Sequence, residues 1–288
     1  MHAGLSTPLD PRNGRTGASA RAPALGSQHA TVACGEVHLE VAVASGCGAS
    51  RLANEDAHTP LDVAGPPFVV ADGVGGGALA GLVSRWLVAE LQVLLQHMPG
   101  DAAAAGAAIE RAMLRADATL ARRIADYTDA PGAATVALCA PVDARATRWI
   151  VGWVGDCRVH RWQPSTRELT LLSADHTFRR LQETPPAGSS PDDPARMVGN
   201  GATTGASVAE HTVGEGELLV LCSDGVHRHL GVEDWAAILG RPGDLRLRCE
   251  ALVHAARAHG STDDATVLLV RRAPHGHRRA AADRFTSP

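Results

Sequence analysis

Apolar residues fall along this chain in blocks whose period changes. From Leu79 to Met98, the residues Leu79, Leu82, Val83, Trp86, Leu87, Leu91, Leu94 and Leu95 recur at helical spacing. Asp101 is placed to start a second helix with Ile109, Met113, Leu120 and Ile124 on its apolar side, and the alanines between them favour helix. Ahead of this pair, "VHLEVAVAS" and "PFVVAD" predict strands, being rich in β-branched residues and bounded by Gly or Pro. After it come four more strand-like runs, "AATVALCA", "RWIVGWVG", "RVHRW" and "ELTLLS", joined by hairpin-like stretches such as "PVDARAT" and "QPSTRE". The strand "ELLVLCS" follows, then helices over 232–239 and 244–259, with Gly260 placed to end the second, and a last strand "ATVLLVRR". Helices in pairs and strands in runs predict an α+β layered fold, antiparallel hairpins packed against helix pairs.

The ends differ from this middle. Residues 1–30 are rich in Gly, Pro, Ser and Arg without periodicity and are expected to be a disordered leader; residues 274–288 read as a flexible tail. That leaves one domain over 31–273, interrupted at about 178–210 by a Pro-, Gly-, Ser- and Thr-rich flap, and long loops in compact domains are more often functional than idle. With 288 residues, 45% hydrophobic and 20% charged, the chain can bury a full core. A net charge of −4 gives no general attraction for nucleic acid or anionic membrane. No apolar run approaches the roughly 18 residues of a membrane span, and the N-terminus lacks the apolar core of a secretory signal. The six cysteines form no C-x-x-C pair. Together these features predict a cytoplasmic protein with reduced, buried thiols and no nucleic-acid or membrane partner.

Chemistry enters at "FVVADGVGGGALAG", residues 68–81. Gly73, Gly75 and Ala78 satisfy the spacing of a dinucleotide loop. Three facts exclude one: Asp72 would repel pyrophosphate, strands and helices do not alternate strictly, and the Asp-Gly-Val of this stretch returns in "LVLCSDGV". Two further acidic sites flank apolar segments, Glu55 and Asp56 in "RLANEDAH", and Asp263 and Asp264 in "GSTDDATVLLV". Any one of them alone suits a turn. If all four sites converge, their repulsion requires cations among them, and oxygen donors without Cys or His select magnesium or manganese. Such a pair of ions can orient a phosphoryl group for in-line attack, and Arg51 offers the planar donor that suits phosphate.

With "RLANEDAH", "VVADGVGG" and the downstream Gly81 and Ser84, "PGAATV", "GWVGDCRVHRW", "SADHT", "LVLCSDGV" and "GSTDDATV" in this order, the chain resembles the metal-dependent serine/threonine phosphatases of the protein phosphatase 2C family from about residue 36 to 271. The resemblance implies a four-layer α-β-β-α sandwich, two antiparallel sheets flanked by helix pairs, with two manganese or magnesium ions at one end. It implies that Asp56 and Asp72 contact the ions, Asp72 bridging both, with the Gly73 carbonyl on one of them, and that Asp224 and Asp263 hold the other. By the same resemblance Glu55 acts through water, Arg51 grips the substrate phosphate, and Asp129 is placed like a residue for a possible third ion. A metal-bridging hydroxide would attack phosphorus directly, on phosphoserine or phosphothreonine proteins that are substrates of a serine/threonine kinase.

Departures from the family pattern point to its bacterial branch and limit what carries over. Val74 stands where many eukaryotic members have a histidine, so the leaving-group acid is open, with His58 and His227 nearest in sequence to the motifs. Cys157 replaces a usual Ser, beside Asp156 and Arg158, which read as structural packing. Asp264 replaces a usual Asn and either adds charge near the ions or caps the turn. The flap wording differs throughout, which leaves substrate preference open. Cys47 in "SGCGASR" lacks the spacing to Arg51 of a cysteine phosphatase loop. The alternative is a catalytically silent relative that binds a phosphoprotein or kinase.

Overall fold

The computed structural model describes residues 25–49, 51–62, 65–75, 78–129 and 132–273. In chain order these form strands β1 (Leu25–Cys34), β2 (Val37–Gly46), β3 (Asp56–His58) and β4 (Phe68–Val74), then helices α1 (Ala78–Leu94) and α2 (Ala102–Ala125). Strands β5 (Ala133–Pro141), β6 (Arg148–Val154), β7 (Arg158–Gln163) and β8 (Glu168–Leu171) follow. Then come α3 (Phe178–Leu181), β9 (Ser207–Thr212), β10 (Leu218–Cys222), α4 (Asp224–His227), α5 (Val232–Leu239), α6 (Leu245–Ala258) and β11 (Ala265–Arg272). Every ladder is antiparallel, in a six-stranded sheet ordered β1-β2-β11-β10-β7-β8 and a five-stranded sheet ordered β3-β4-β5-β6-β9.

The strands read as nearly unbroken apolar runs because both faces of each sheet are covered. In β4, Phe68 and Val70 enter the core between the sheets, with Leu39, Val41, Val151 and Leu268. The alternate Val69 and Ala71 pack outward on Leu87, Leu91, Ile109 and Met113 of α1 and α2. On the other sheet, Ala44, Val220 and Val267 face Trp235, Leu245 and Leu252 of α5 and α6. Three apolar layers inside four layers of structure give the expected α-β-β-α sandwich.

Local signals account for most boundaries. The Asp101 carboxylate caps α2 by accepting from the Ala104 N–H at 2.8 Å. At the end of α6, Gly260 takes φ +93° while its N–H and that of Ser261 bond back to Arg257 and Ala256. Helix α1 stops at Leu94, short of Met98, and Leu82 is 38% exposed, so it lies off the buried stripe. Residues 25–30, assigned on composition to a leader, form the first half of β1, which pairs with β2 along its whole length. As an edge strand β1 needs backbone partners on one side only, so its side chains carry little apolar signal. The rest of that leader, and the tail, lie outside the described residues.

The flap has more structure than its composition suggests. It begins with α3, capped by Thr177, crosses β5 through an Ala134–Val198 bridge and ends in β9, the edge of the five-stranded sheet. All six cysteines are free thiols, with Cys139, Cys157, Cys222 and Cys249 buried. Among the described residues, no helix is long and apolar enough to cross a membrane.

Candidate active site

At one end of the sandwich β3 and β4 of one sheet meet β10 and β11 of the other. Antiparallel register sets Asp56 of β3 directly opposite Asp72 of β4. From the facing sheet come Asp224, the first residue of α4, and Asp263, just before β11. Asp56 lies in the field of Asp224 and Asp264, and Asp72 in that of Asp56, Asp224, Asp156 and Asp263. Segments far apart in sequence thus bring their carboxylates to one place.

Two glycines make this approach possible. A Cβ on Gly73 would run into the Ala80 carbonyl of α1, and one on Gly225 into the Asp264 carbonyl. Helix α1 also seats the loop before β3: the Ser84 hydroxyl donates to the Glu55 carbonyl at 2.5 Å, and Gly81 leaves room for Asn54 and Glu55. Gly75, at φ +113°, turns the chain out of β4; its neighbour Gly76 lies outside the described residues. Buried Asp264 accepts from the N–H groups of Gly48 and Glu55, both at 2.7 Å. It therefore ties down the loop that carries Arg51 and Glu55, and its charge also bears on Asp56, so Asp264 serves both as a turn cap and as a charge beside the cluster.

The electrostatics follow from burial and crowding. Asp56 is pushed up to about 7, first by burial and against hydrogen bonds from Ser223 and Thr266, with Asp264 and Asp224 adding repulsion. Asp72 rises well above the carboxylate range through burial and then through its four acidic neighbours. Asp156 is raised to about 6 by burial and by Asp224, with Arg228 opposing. Asp156 thus lies within the field of the cluster and is paired with Arg228. Its signal was available in the sequence, since it follows a strand and a glycine as a carboxylate at an apolar segment's end.

Two guanidiniums border the cluster. Arg51 donates through Nε and Nη2 to one oxygen of Asp263, at 3.1 and 2.9 Å, and through Nη1 to Glu55 at 2.8 Å. Arg228, which the sequence reading passed over, pairs with Asp224 at 3.2 Å and with Asp156 at 2.6 Å. It also donates to the flap carbonyl of Asp192 at 2.9 Å. Its spacing of four residues from Asp224 on a helical turn was the clue available. Ser223, also unremarked in sequence, donates to Asp56 Oδ2 at 2.7 Å.

The donor set suits hard divalent ions. Among the described residues, Oδ1 of Asp56 and Oδ1 of Asp224 are buried without a hydrogen-bond partner. Unpaired buried carboxylate oxygens among other carboxylates are costly without a cation. Among the described residues, no three His, Cys, Asp or Glu side chains are grouped closely enough to hold an ion as they stand. Asp224 and Asp263 are engaged instead by Arg228 and Arg51. Ion binding would exchange these guanidinium contacts for coordination.

The remaining candidates make other contacts. Asp129 is exposed in the bend after α2, and among the described residues no hydrogen bond or ion pair joins it to the cluster. His58 is bonded to the Thr59 carbonyl and held below the usual histidine range by burial. His227 lies behind Asp156, Nε2 on its carbonyl at 2.9 Å, and burial lowers it to about 3. Neither imidazole is a proton store at neutral pH. Burial, with Asp264 next, raises the Cys47 thiol, the reverse of an activated nucleophile.

A family model described as Stage II sporulation protein E (SpoIIE) matches residues 67–273. The chain belongs to this PP2C-like family. SpoIIE-family membership covers the strand of Asp72, the flap and both facing carboxylates, Asp224 and Asp263. Among solved structures, a serine/threonine phosphatase of S. agalactiae superimposes with a TM-score of 0.68 at 20% identity, over 86% of this chain and 99% of that one. The catalytic domain of the serine/threonine phosphatase PstP, solved with two manganese ions, gives 0.65 at 23% identity, over 81% and 98%. MsPP from Mycobacterium smegmatis, solved with cacodylate, gives 0.65 at 22%, over 80% and 97%. At these identities the likeness carries the fold. No curated protein matches the chain by sequence.

Proposed function

We propose that this chain is a metal-dependent protein phosphatase acting on phosphoserine or phosphothreonine. The observation that carries this is the meeting of Asp56, Asp72, Asp224 and Asp263 from separate segments beside Arg51, with carboxylate oxygens left unpaired. Asp56, Asp72 and the Gly73 carbonyl, together with Asp224 and Asp263, would hold the two divalent ions. When bound, manganese or magnesium supplies the positive charge that this cluster lacks and activates water at neutral pH.

The chain's own groups have distinct tasks. Ser223 and the Thr266 backbone N–H, bonded to each other, orient Asp56. Asp264 fixes the loop of Glu55 and Arg51. Arg51, displaced from Asp263 when that carboxylate coordinates, is the guanidinium placed to bind the phosphate oxygens of the substrate. The solved relatives described as serine/threonine phosphatases, one of them with manganese, support this choice of chemistry. Proteins phosphorylated by a serine/threonine kinase are the substrate class it implies.

The test is hydrolysis of a phosphothreonine peptide with manganese, in chelator, and by Asp224→Asn. Turnover should require the ion and fall sharply in the variant; undiminished turnover in chelator would exclude the metal mechanism. One observation favours a second reading, a silent module that binds phosphoproteins: Arg51 and Arg228 already neutralise Asp263 and Asp224. Manganese binding by calorimetry without turnover, together with phosphopeptide binding, would select that reading.

A further inference from the structure

The flap is fastened to α2 by a buried carboxylate outside the acidic cluster. Asp117, 4% exposed, accepts three backbone N–H groups: Gly199 at 2.6 Å and Gly201 at 3.1 Å on Oδ1, and Thr203 at 3.2 Å on Oδ2. Gly199 and Gly201 have φ of +114° and +75°, a left-handed backbone that turns successive N–H groups toward one point and that a side chain would strain. A carboxylate with three charge-assisted acceptor bonds in a buried place is a strong local tie.

The clasp stands between two other features. On one side, Val198 exchanges both backbone bonds with Ala134, at 2.9 Å each, and Ala134 is the register partner of Gly73 beside Asp72. On the other side lies a cavity of about 410 Å³ between α2 and the flap. Glu110 and Leu114 of α2 form one wall, two turns and one turn before Asp117, and Thr204 to Ser207 form another, directly after the clasped loop. The spacing of the two walls is therefore set where Asp117 holds the loop. His176 joins the cavity to the cluster: it lines the cavity, its Nδ1 accepts from the Gly155 N–H at 3.2 Å, and Asp156 follows Gly155.

We propose that Asp117 is a positioning residue for substrate choice: it sets the wall of this cavity, and the cavity receives the polypeptide that flanks a phosphorylated residue. The volume falls in the range of ligand sites, and the lining combines apolar Leu114 and Leu181 with the carboxylate of Glu110, while Arg196 is paired with Glu183 and Ser207 with His176, so an entering peptide side chain meets an apolar surface edged by polar groups. This rests on the phosphatase reading above.

The test compares p-nitrophenyl phosphate, which carries no flanking polypeptide, with a phosphothreonine peptide. In Asp117→Asn, whose amide oxygen can still accept from Gly199 and Gly201 but whose NH2 meets the Thr203 N–H donor against donor, KM for the peptide should rise about tenfold, while kcat for p-nitrophenyl phosphate and manganese affinity stay within about twofold, a selective loss of positioned binding energy. Leu114→Trp fills the cavity from an exposed position and leaves the clasp intact; it should raise the peptide KM alone. Equal losses on both substrates in Asp117→Asn, or an unchanged peptide KM in Leu114→Trp, overturn the proposal. Should the native chain hydrolyse neither substrate with manganese, the phosphatase reading itself fails, and this is seen before any variant is made.

Discussion

The tripeptide Asp-Gly-Val occurs at residues 72–74 and again at 224–226, and the two copies fold differently. The first lies inside β4, with Asp72 held in register between Asp56 and Thr135. The second follows β10 and opens the short helix α4 behind the cap residue Ser223. In both, glycine is required because another backbone carbonyl occupies the space of a Cβ, that of Ala80 in one and Asp264 in the other. The aspartates differ in their partners. Asp224 has Arg228 at 3.2 Å, whereas Asp72 faces four carboxylates, and no ion pair involves it among the described residues. The lesson is that a shared motif specifies close backbone approach, while the tertiary neighbours decide how strongly each carboxylate needs an ion.

The sharpest way to break this comparison is to neutralise each aspartate. Asp72→Asn should weaken manganese binding by more than about a hundredfold and remove turnover, because no guanidinium stands in for the ion there. Asp224→Asn should cost nearer tenfold, since in the ion-free state that carboxylate is already partly neutralised by Arg228 and gains less from the ion. Calorimetric titration reads both, and equal losses would erase the distinction.

The glycines come next. Gly225→Ala and Gly73→Ala should each destabilise the fold by about 1–3 kcal/mol in urea unfolding, the cost of overpacking against backbone that cannot swing away. A tolerated alanine at either corner would remove the common feature. Arg228→Gln should tighten manganese binding a few-fold by deleting a competing charge, and it releases the flap at Asp192.

The smallest effect is in pH. Asp56, at about 7, and Asp72 keep their protons in the folded state above the pH where the unfolded chain loses them. The unfolded state therefore binds fewer protons as pH rises from about 4 to 7, and these groups make the metal-free protein less stable over that window. His160 and His227, lowered to about 3 by burial, act in the opposite sense: their contribution is lost as pH falls from about 6.5. The prediction is thus a difference. In chelator, the melting temperature of Asp72→Asn should decline less with rising pH than that of the native chain, and saturating manganese should close the gap.

Much of this was legible from one sequence. The helical stripe of α2 with its Asp101 cap, the apolar runs of β4, β5 and β10, and the Gly260 stop depend on contacts within a few residues. Strand β1 was hidden because an edge strand needs only backbone partners, and β9 because it ends a Gly-rich flap. In the site, Asp56, Asp72, Asp224 and Asp263 were named because each borders an apolar segment. Asp117 could not be found this way: on a helix, a single acidic residue 82 to 86 positions from its partners in sequence resembles any solvated position, and only the tertiary structure shows otherwise.

From the chain alone follow the elements, the layered class and the acidic residues that border strands, since these rest on local periodicity and chemistry. Folding decided the rest: which carboxylates face one another, which of them Arg51 and Arg228 neutralise, and where the flap is anchored. The physical reason is that these properties depend on distances between residues up to about two hundred positions apart, such as Arg51 and Asp263, and such distances exist only once the two sheets have packed.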